Sequence, residues 1–204
     1  KFLNQKKKTD IIEVHNRPNY IKNLISLESK LILYFHNDPL TMDGSSKTNE
    51  RIFLMEICEK IVFNSEWSKK QFLKKLPQFY HKSKKLIVIH QSVDQKKINF
   101  RKKEKIISFV GKLNSAKGFD LFSKAIIKIL NEHPQWKAYV AGDEPRENII
   151  VNHKNLLNLG FQDHNKILNL FEKSSIAVTC SRWQEPFGRT SLEASSRGCA
   201  VIIS

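Results

Sequence analysis

Ser181-Arg182-Trp183-Gln184-Glu185-Pro186-Phe187-Gly188-Arg189-Thr190-Ser191-Leu192-Glu193-Ala194 is the stretch on which the reading of this chain turns. A short apolar run, Ile176-Ala177-Val178-Thr179-Cys180, precedes it and reads as a buried strand. Pro186 and Gly188 break the chain, residues 188–197 suit a helix, and a second apolar run, Ala200-Val201-Ile202-Ile203, follows. Strand, loop, helix, strand is half of a βαβαβ nucleotide-binding unit. A helix N-terminus at the carboxyl end of a parallel strand presents free N–H groups and partial positive charge, which suits a phosphate. Glu185 stands before that terminus, and Glu193 lies about five residues into the helix, roughly 7–8 Å along it. A diphosphate at the terminus would leave one carboxylate near a sugar and the other near a ribose, each able to accept bonds from vicinal hydroxyls. The plainer alternative is that Glu185 caps the helix and Glu193 is a solvated helix residue.

Working outward, the same grammar recurs. Residues 1–10 are polar and basic. Strands are expected at residues 10–15, 31–35, 61–63 and 86–89, with helices at 19–29, 48–60 and 66–76, the last capped by Ser65. After a polar stretch the alternation restarts. Strands are expected at 106–110, 136–141 and 156–159, and helices at 118–131 and 163–174. Such alternation implies α/β architecture, with parallel sheets covered on both faces. The expected organisation is residues 1–94 as one Rossmann-like domain, 95–104 as a linker, and 105–204 as a second Rossmann-like domain. The chain starts at Lys1 and stops inside an expected central strand, so both domains are expected to be incomplete, in the middle of a longer protein.

The net charge is +15, with 28 Lys against 7 Arg. That permits attraction to nucleic acid, anionic lipid or anionic substrates, but the lysines are scattered in pairs and no RRM, homeodomain or zinc-finger pattern is visible. Cys58, Cys180 and Cys199 form no CxxC, and a reducing, cytoplasmic setting is expected. No apolar run reaches the ~18 residues of a membrane span.

Gly111-Lys112-Leu113-Asn114-Ser115-Ala116-Lys117-Gly118 follows one strand and opens a helix. Its glycines let the backbone approach a ligand, and its lysines can neutralise a diphosphate leaving group. The spacing is not that of a Walker loop. His36 ends a strand, where functional groups of open parallel sheets collect; the plainer alternative is that it caps the turn with Pro39. His15 is a weaker candidate of the same kind. His133, His153 and His164 show no metal-ligand spacing.

Two glutamates with Pro-Phe-Gly after the first and Glu-Ala at the second resemble the donor-site motif of glycosyltransferase family 4. So do Val-Gly-Lys-Leu with its closing Lys-Gly, and Ala141-Gly142-Asp143, in the same order. The resemblance implies the GT-B fold and transfer, with retention of configuration, from a nucleotide-diphosphate sugar (UDP or GDP) to a carbohydrate or lipid-linked acceptor hydroxyl, without a metal. It implies catalytic roles for Glu185, His36 and Lys117. It implies donor binding by Gly111, Lys112, Lys117, Phe187, Gly188, Arg189, Thr190, Glu193 and, beside the nucleobase, Phe161. Family members usually carry Arg where Lys112 stands, and Gly where Ser92 stands before Val93-Asp94. Glu13-Val14-His15-Asn16-Arg17-Pro18 and Phe35-His36-Asn37-Asp38-Pro39 resemble bacterial surface-polysaccharide and lipopolysaccharide enzymes. The lysine pairs at 69–70, 74–75 and 84–85 then suit the inner face of an anionic membrane. Two rivals remain at this stage: a silent nucleotide-sugar binder of the same fold, and a basic nucleic-acid-binding protein, the latter supported only by charge.

Overall fold

The computed structural model describes residues 9–94 and 96–204. The basic opening residues 1–8 and Gln95, the first residue of the expected linker, lie outside the described residues. The contacts divide the chain into two compact units, one ending at Gln91 and the other running from Ser92 to Ser204.

The first unit holds β1 (Ile11–His15), α1 (Ile21–Leu24), β2 (Lys30–Phe35), α2 (Thr48–Ile57), β3 (Lys60–Phe63), α3 (Glu66–Leu73), α4 (Gln78–His81) and β4 (Leu86–Val88). Its sheet has the order β1-β2-β3-β4, with every pair parallel. The strands are almost unbroken apolar runs because helices cover the sheet. Leu33, Phe35, Ile61 and Phe63 are buried against Leu54 and Phe72, and Phe35 stacks on Phe63 with centroids 5.6 Å apart. Each such side chain contributes about 1.5–3 kcal/mol of burial. Arg51 is 2% exposed and acts as an internal strut. Its guanidinium donates to the carbonyls of Ser45, Ser46 and Lys74, tying two loops to one helix.

The helices differ from expectation where pairing elsewhere captures their ends. The expected 19–29 helix is a 3₁₀ turn at Pro18–Tyr20, one α turn, and a second 3₁₀ turn at Ile25–Leu27, ended by Glu28 at φ 52°. Its inward residues, Ile21, Leu24 and Leu27, recur every third position, which matches the tighter helix. α2 stops at Ile57, not Lys60, because the N–H of Glu59 donates to Leu31 O and feeds the chain into the sheet. α3 stops at Leu73, not Leu76, and Lys75 takes φ 62°. Ser65 caps α3 as expected, accepting from the Ser68 N–H at 3.1 Å.

The second unit holds β5 (Glu104–Val110), α5 (Phe119–Glu132), β6 (Lys137–Ala141), β7 (Leu156–Asn158), α6 (His164–Lys173), β8 (Ser174–Thr179), α7 (Arg189–Ser196) and β9 (Ala200–Ile203). Its parallel sheet has the order β7-β6-β5-β8-β9. Phe119, Phe122, Ile126 and Leu130 line one face of α5 at helical spacing and are buried on Phe109 and Val140. Residues of the stretch read as a linker are fastened to this unit. Lys96 Nζ pairs with Glu172, and Lys103 Nζ donates to the carbonyls of Phe171, Ser174 and Arg197. Arg197 Nη1 also donates to the carbonyl of Asp94, expected at the end of the first domain. No helix among the described residues is long and apolar enough to cross a membrane.

The order of the second sheet positions a site. From β5 the chain moves outward through β6 and β7, then returns to the other side of β5 as β8. The loops after β5 and β8 therefore diverge from neighbouring strands, and the crevice between them is where open α/β sheets bind ligands.

Candidate functional site

Two glycines let those loops approach. Gly118 has φ 73°, and a Cβ there would stand 1.9 Å from Cys180 O, so the loop after β5 lies directly on the end of β8. A Cβ on Gly142, φ 140°, would stand 1.8 Å from Gly111 O. No L-residue side chain fits either place.

The 111–118 loop is held rigidly. Asn114 Oδ1 accepts from the Lys117 N–H at 2.9 Å, and its Nδ2 donates to Glu144 at 3.3 Å. Ser115 donates from both its N–H and its hydroxyl to Glu147. Hydrogen bonds from Arg146 above all hold the Glu144 carboxyl at about 2, against the effect of its partial desolvation. It stays ionised, and so an acceptor for Asn114, at any physiological pH.

This anchoring directs Lys117 across the crevice. Its ammonium hydrogen-bonds Glu185 Oε1, which also accepts from Ser181 Oγ at 2.8 Å and Trp183 Nε1 at 3.0 Å. The ammonium lies 5.0 Å from the centre of the Trp183 ring system. Desolvation pushes the Glu185 pKa up, but the bonds from Lys117 and Ser181 and the charge of Lys117 outweigh it, and the net direction is down. Glu185 is thus a carboxylate facing a cation, with a cavity of about 730 Å³ beside them.

The start of α7 also lines that cavity, through Gly188, Arg189 and Thr190. Gly188, at φ 80°, precedes the helix without a side-chain cap. The first N–H groups of α7 are thus left without a cap at the positive end of the helix. Arg189 Nε donates to Glu193 Oε1 at 2.8 Å, one turn on.

Of the residues singled out from the sequence, Gly111, Lys117, Glu185, Phe187, Gly188, Arg189 and Thr190 line this one cavity. Lys112 does not; it is exposed. Phe161 is 73% exposed and lies beyond the lining, beside Gly160, whose carbonyl accepts from the Gly142 N–H. Glu193 is not the solvated helix residue of the plainer alternative. It is 7% exposed, and its Oε1 also meets His164 Nε2 at 3.1 Å. His36 belongs to the first unit, where its Nε2 lies 2.9 Å from His15 Nδ1 and its Nδ1 3.4 Å from Gln91 Nε2.

Sequence reasoning missed Arg182, Asp120, Glu144, Glu147 and His164. Each acts through a partner distant in sequence, such as the 62-residue separation of Arg182 and Asp120. The one available signal was an arginine beside the glutamate motif with an aspartate just inside the helix that follows the glycine-lysine loop.

Known proteins resemble this chain in sequence and in fold. The putative glycosyltransferase YtcC of Bacillus subtilis (strain 168) is 26% identical over an alignment of 228 positions that covers 96% of this chain and 55% of that protein. The lipopolysaccharide core biosynthesis mannosyltransferase LpcC of Rhizobium leguminosarum bv. viciae is 31% identical over an alignment of 110 positions that covers 48% of this chain and 31% of that protein. The chain thus spans little more than half the length of YtcC. Among solved structures, Anabaena Alr3699/HepE in complex with UDP-glucose superposes with a TM-score of 0.74 at 17% identity, covering 95% of this chain and 59% of that one. The shared fold is GT-B. The model of the family described as glycosyl transferases group 1 matches residues 90–204, more than half of the sequence, and the chain belongs to that family.

Proposed function

We propose that the whole protein transfers a sugar from a nucleotide-diphosphate donor to an acceptor hydroxyl, with retention of configuration. Residues 105–204 would bind the donor, and residues 1–94 the acceptor. The observation that carries this reading is the Lys117–Glu185 ion pair, set in a cavity that the uncapped N-terminus of α7 also lines.

The chemistry follows from the charges. A diphosphate at the start of α7 accepts from the Arg189 and Thr190 N–H groups. Its arrival draws the Lys117 ammonium from Glu185 to a phosphate oxygen, where it stabilises the negative charge that develops as the glycosidic bond breaks. Glu185, released from one donor, accepts from hydroxyls of the donor sugar and fixes its orientation. Glu193 takes the ribose hydroxyls, Lys112 the outer phosphate face, and Phe161 the edge of the base. In a front-face displacement the bond from the anomeric carbon to the phosphate oxygen breaks. The acceptor oxygen bonds the same face of the sugar, and the acceptor proton passes to the leaving phosphate. No protein nucleophile is required. His36 orients a sugar hydroxyl once it exchanges one of its present partners for it.

A uridine donor is favoured by the UDP-glucose held by HepE, with GDP as the alternative. A carbohydrate or lipid-linked acceptor in cell-surface polysaccharide or lipopolysaccharide synthesis is favoured by the likeness to LpcC. The lysine pairs of α3 and its flanks supply charge for contact with an anionic membrane at its cytoplasmic face. The test is a donor screen on the full-length protein with UDP- and GDP-sugars, followed by Glu185→Ala. Transfer that the substitution abolishes supports the reading. Absence of both nucleotide-sugar binding and transfer by the full-length protein overturns it.

A further inference from the structure

The two halves of the Lys117–Glu185 pair come from two loops, and neither half is in a regular element. Arg182 bridges them. Its backbone N–H donates to Ala116 O at 2.9 Å. Its Nη1 donates to Ser115 O at 2.5 Å and also to Asp120, while Nη2 donates to Asp120 Oδ2 at 2.7 Å. Residues 115, 116 and 120 bracket Lys117 on both sides, and Arg182 is three residues from Glu185. A single side chain thus spans the crevice's base and fixes both loops at once.

We propose that Arg182, with Asp120, is a positioning residue for the donor site: it sets the separation of the Lys117 ammonium and the Glu185 carboxylate. The inference rests on the glycosyltransferase reading above. The residue type matters. A planar guanidinium binds a carboxylate by two parallel bonds and still reaches a carbonyl, so it fixes direction as well as distance. The carboxyl of Asp120 is held below its usual range first by the Arg182 hydrogen bond, so the fork is charged on both sides. The pair is partly exposed, with side-chain accessibilities of 43% and 27%, and such pairs add little to global stability. Its effect is therefore local. Lys117 reaches Glu185 on a four-carbon stem, and a shift of about 1 Å at its base is enough to cost ~100-fold in rate.

The experiment is a double-mutant cycle in the full-length enzyme, with UDP-glucose and GDP-mannose as donor probes, alongside thermal melts. Arg182→Ala is expected to lower kcat/KM by about 10- to 100-fold, and Lys117→Ala by about 100- to 1,000-fold. The double variant is expected to fall no more than about threefold below Lys117→Ala, because the arginine acts through the lysine. Arg182→Lys should recover only part of the loss. Asp120→Asn, which keeps shape and removes charge, serves if Arg182→Ala folds poorly, and is expected to show the same dependence on Lys117. Multiplying losses in the cycle, or an Arg182→Ala enzyme within twofold of the parent, overturns the proposal while leaving the glycosyltransferase reading intact. A parent enzyme that neither binds nor uses nucleotide sugars overturns both.

Discussion

The strand ends of the two units carry polar clusters of opposite character. In the first unit His15 and Tyr34 are register partners on β1 and β2, and His36 follows two residues beyond Tyr34, on the same side of the sheet. The rings stack, with centroids 4.5 Å apart for His15–Tyr34 and 5.2 Å for His15–His36. Asn16, at φ 53°, accepts from the His36 N–H, and Asn64 donates to its carbonyl. In the second unit the loops after β5 and β8 carry full charges, Lys117 and Glu185, paired beside a cavity that the start of α7 also lines. Parallel strands deliver polar residues to the same edge in both units. What distinguishes them is the kind of group: stacked rings and amides that hydrogen-bond one another in the first unit, and a charged pair that lines a cavity in the second.

The largest effect should come from breaking the charged cluster. Glu185→Ala and Lys117→Ala are each expected to lower kcat/KM by about 100-fold or more, as loss of one preorganised electrostatic group does. Melting temperature should barely move, since the pair is partly solvated. If Lys117→Ala lowers stability and leaves transfer unchanged, the charged cluster is a structural ion pair and the contrast between the units collapses.

A smaller effect tests the backbone that brings the two loops together. Gly118→Ala adds a methyl group into Cys180 O and forces an L-residue to φ 73°. Denaturant unfolding should show a loss of about 2–3 kcal/mol, with activity falling as Lys117 is displaced. Gly111→Ala, where no atom lies within 4 Å of the added carbon, should lose less, and only through its φ of 152°. Equal losses at the two glycines would mean that the close approach to β8 carries no energy.

These cases show how much the sequence revealed. The parallel sheets were legible because buried strands such as Leu31-Ile32-Leu33-Tyr34-Phe35 are unbroken apolar runs set between amphipathic helices. The glutamate-rich turn and the glycine-lysine loop were legible because each lies directly after such a run. Helix ends were not, since Glu59 leaves its helix to pair with Leu31 across the sheet, which no local propensity encodes. Nor was the bracing of the site. Glu144, Glu147 and Asp120 look like ordinary surface charges until folding brings them to Asn114, Ser115 and Arg182. Glu193 was misjudged in its plainer alternative for the same reason, because the strand-to-helix segment carrying His164 covers it.

The smallest effect concerns protonation in the first unit. Desolvation, and next the neighbouring His15, lower the His36 pKa in the folded protein. The unfolded chain therefore binds a proton more readily than the folded one near and below the ordinary value of about 6.5. Stability then rises with pH through that window, because the folded state excludes the proton that the unfolded state accepts. The contribution of His36 is fully present above the unfolded value and is lost as pH falls from there toward the depressed folded value. Urea unfolding between pH 5 and 8 should show this dependence in the parent protein, and His36→Gln should flatten it while keeping a side chain that can hydrogen-bond. A slope that survives in His36→Gln but vanishes in His15→Gln would move the titrating group to the other member of the stack. A slope of opposite sign in the parent would mean that the first unit, like the second, is organised around a charge.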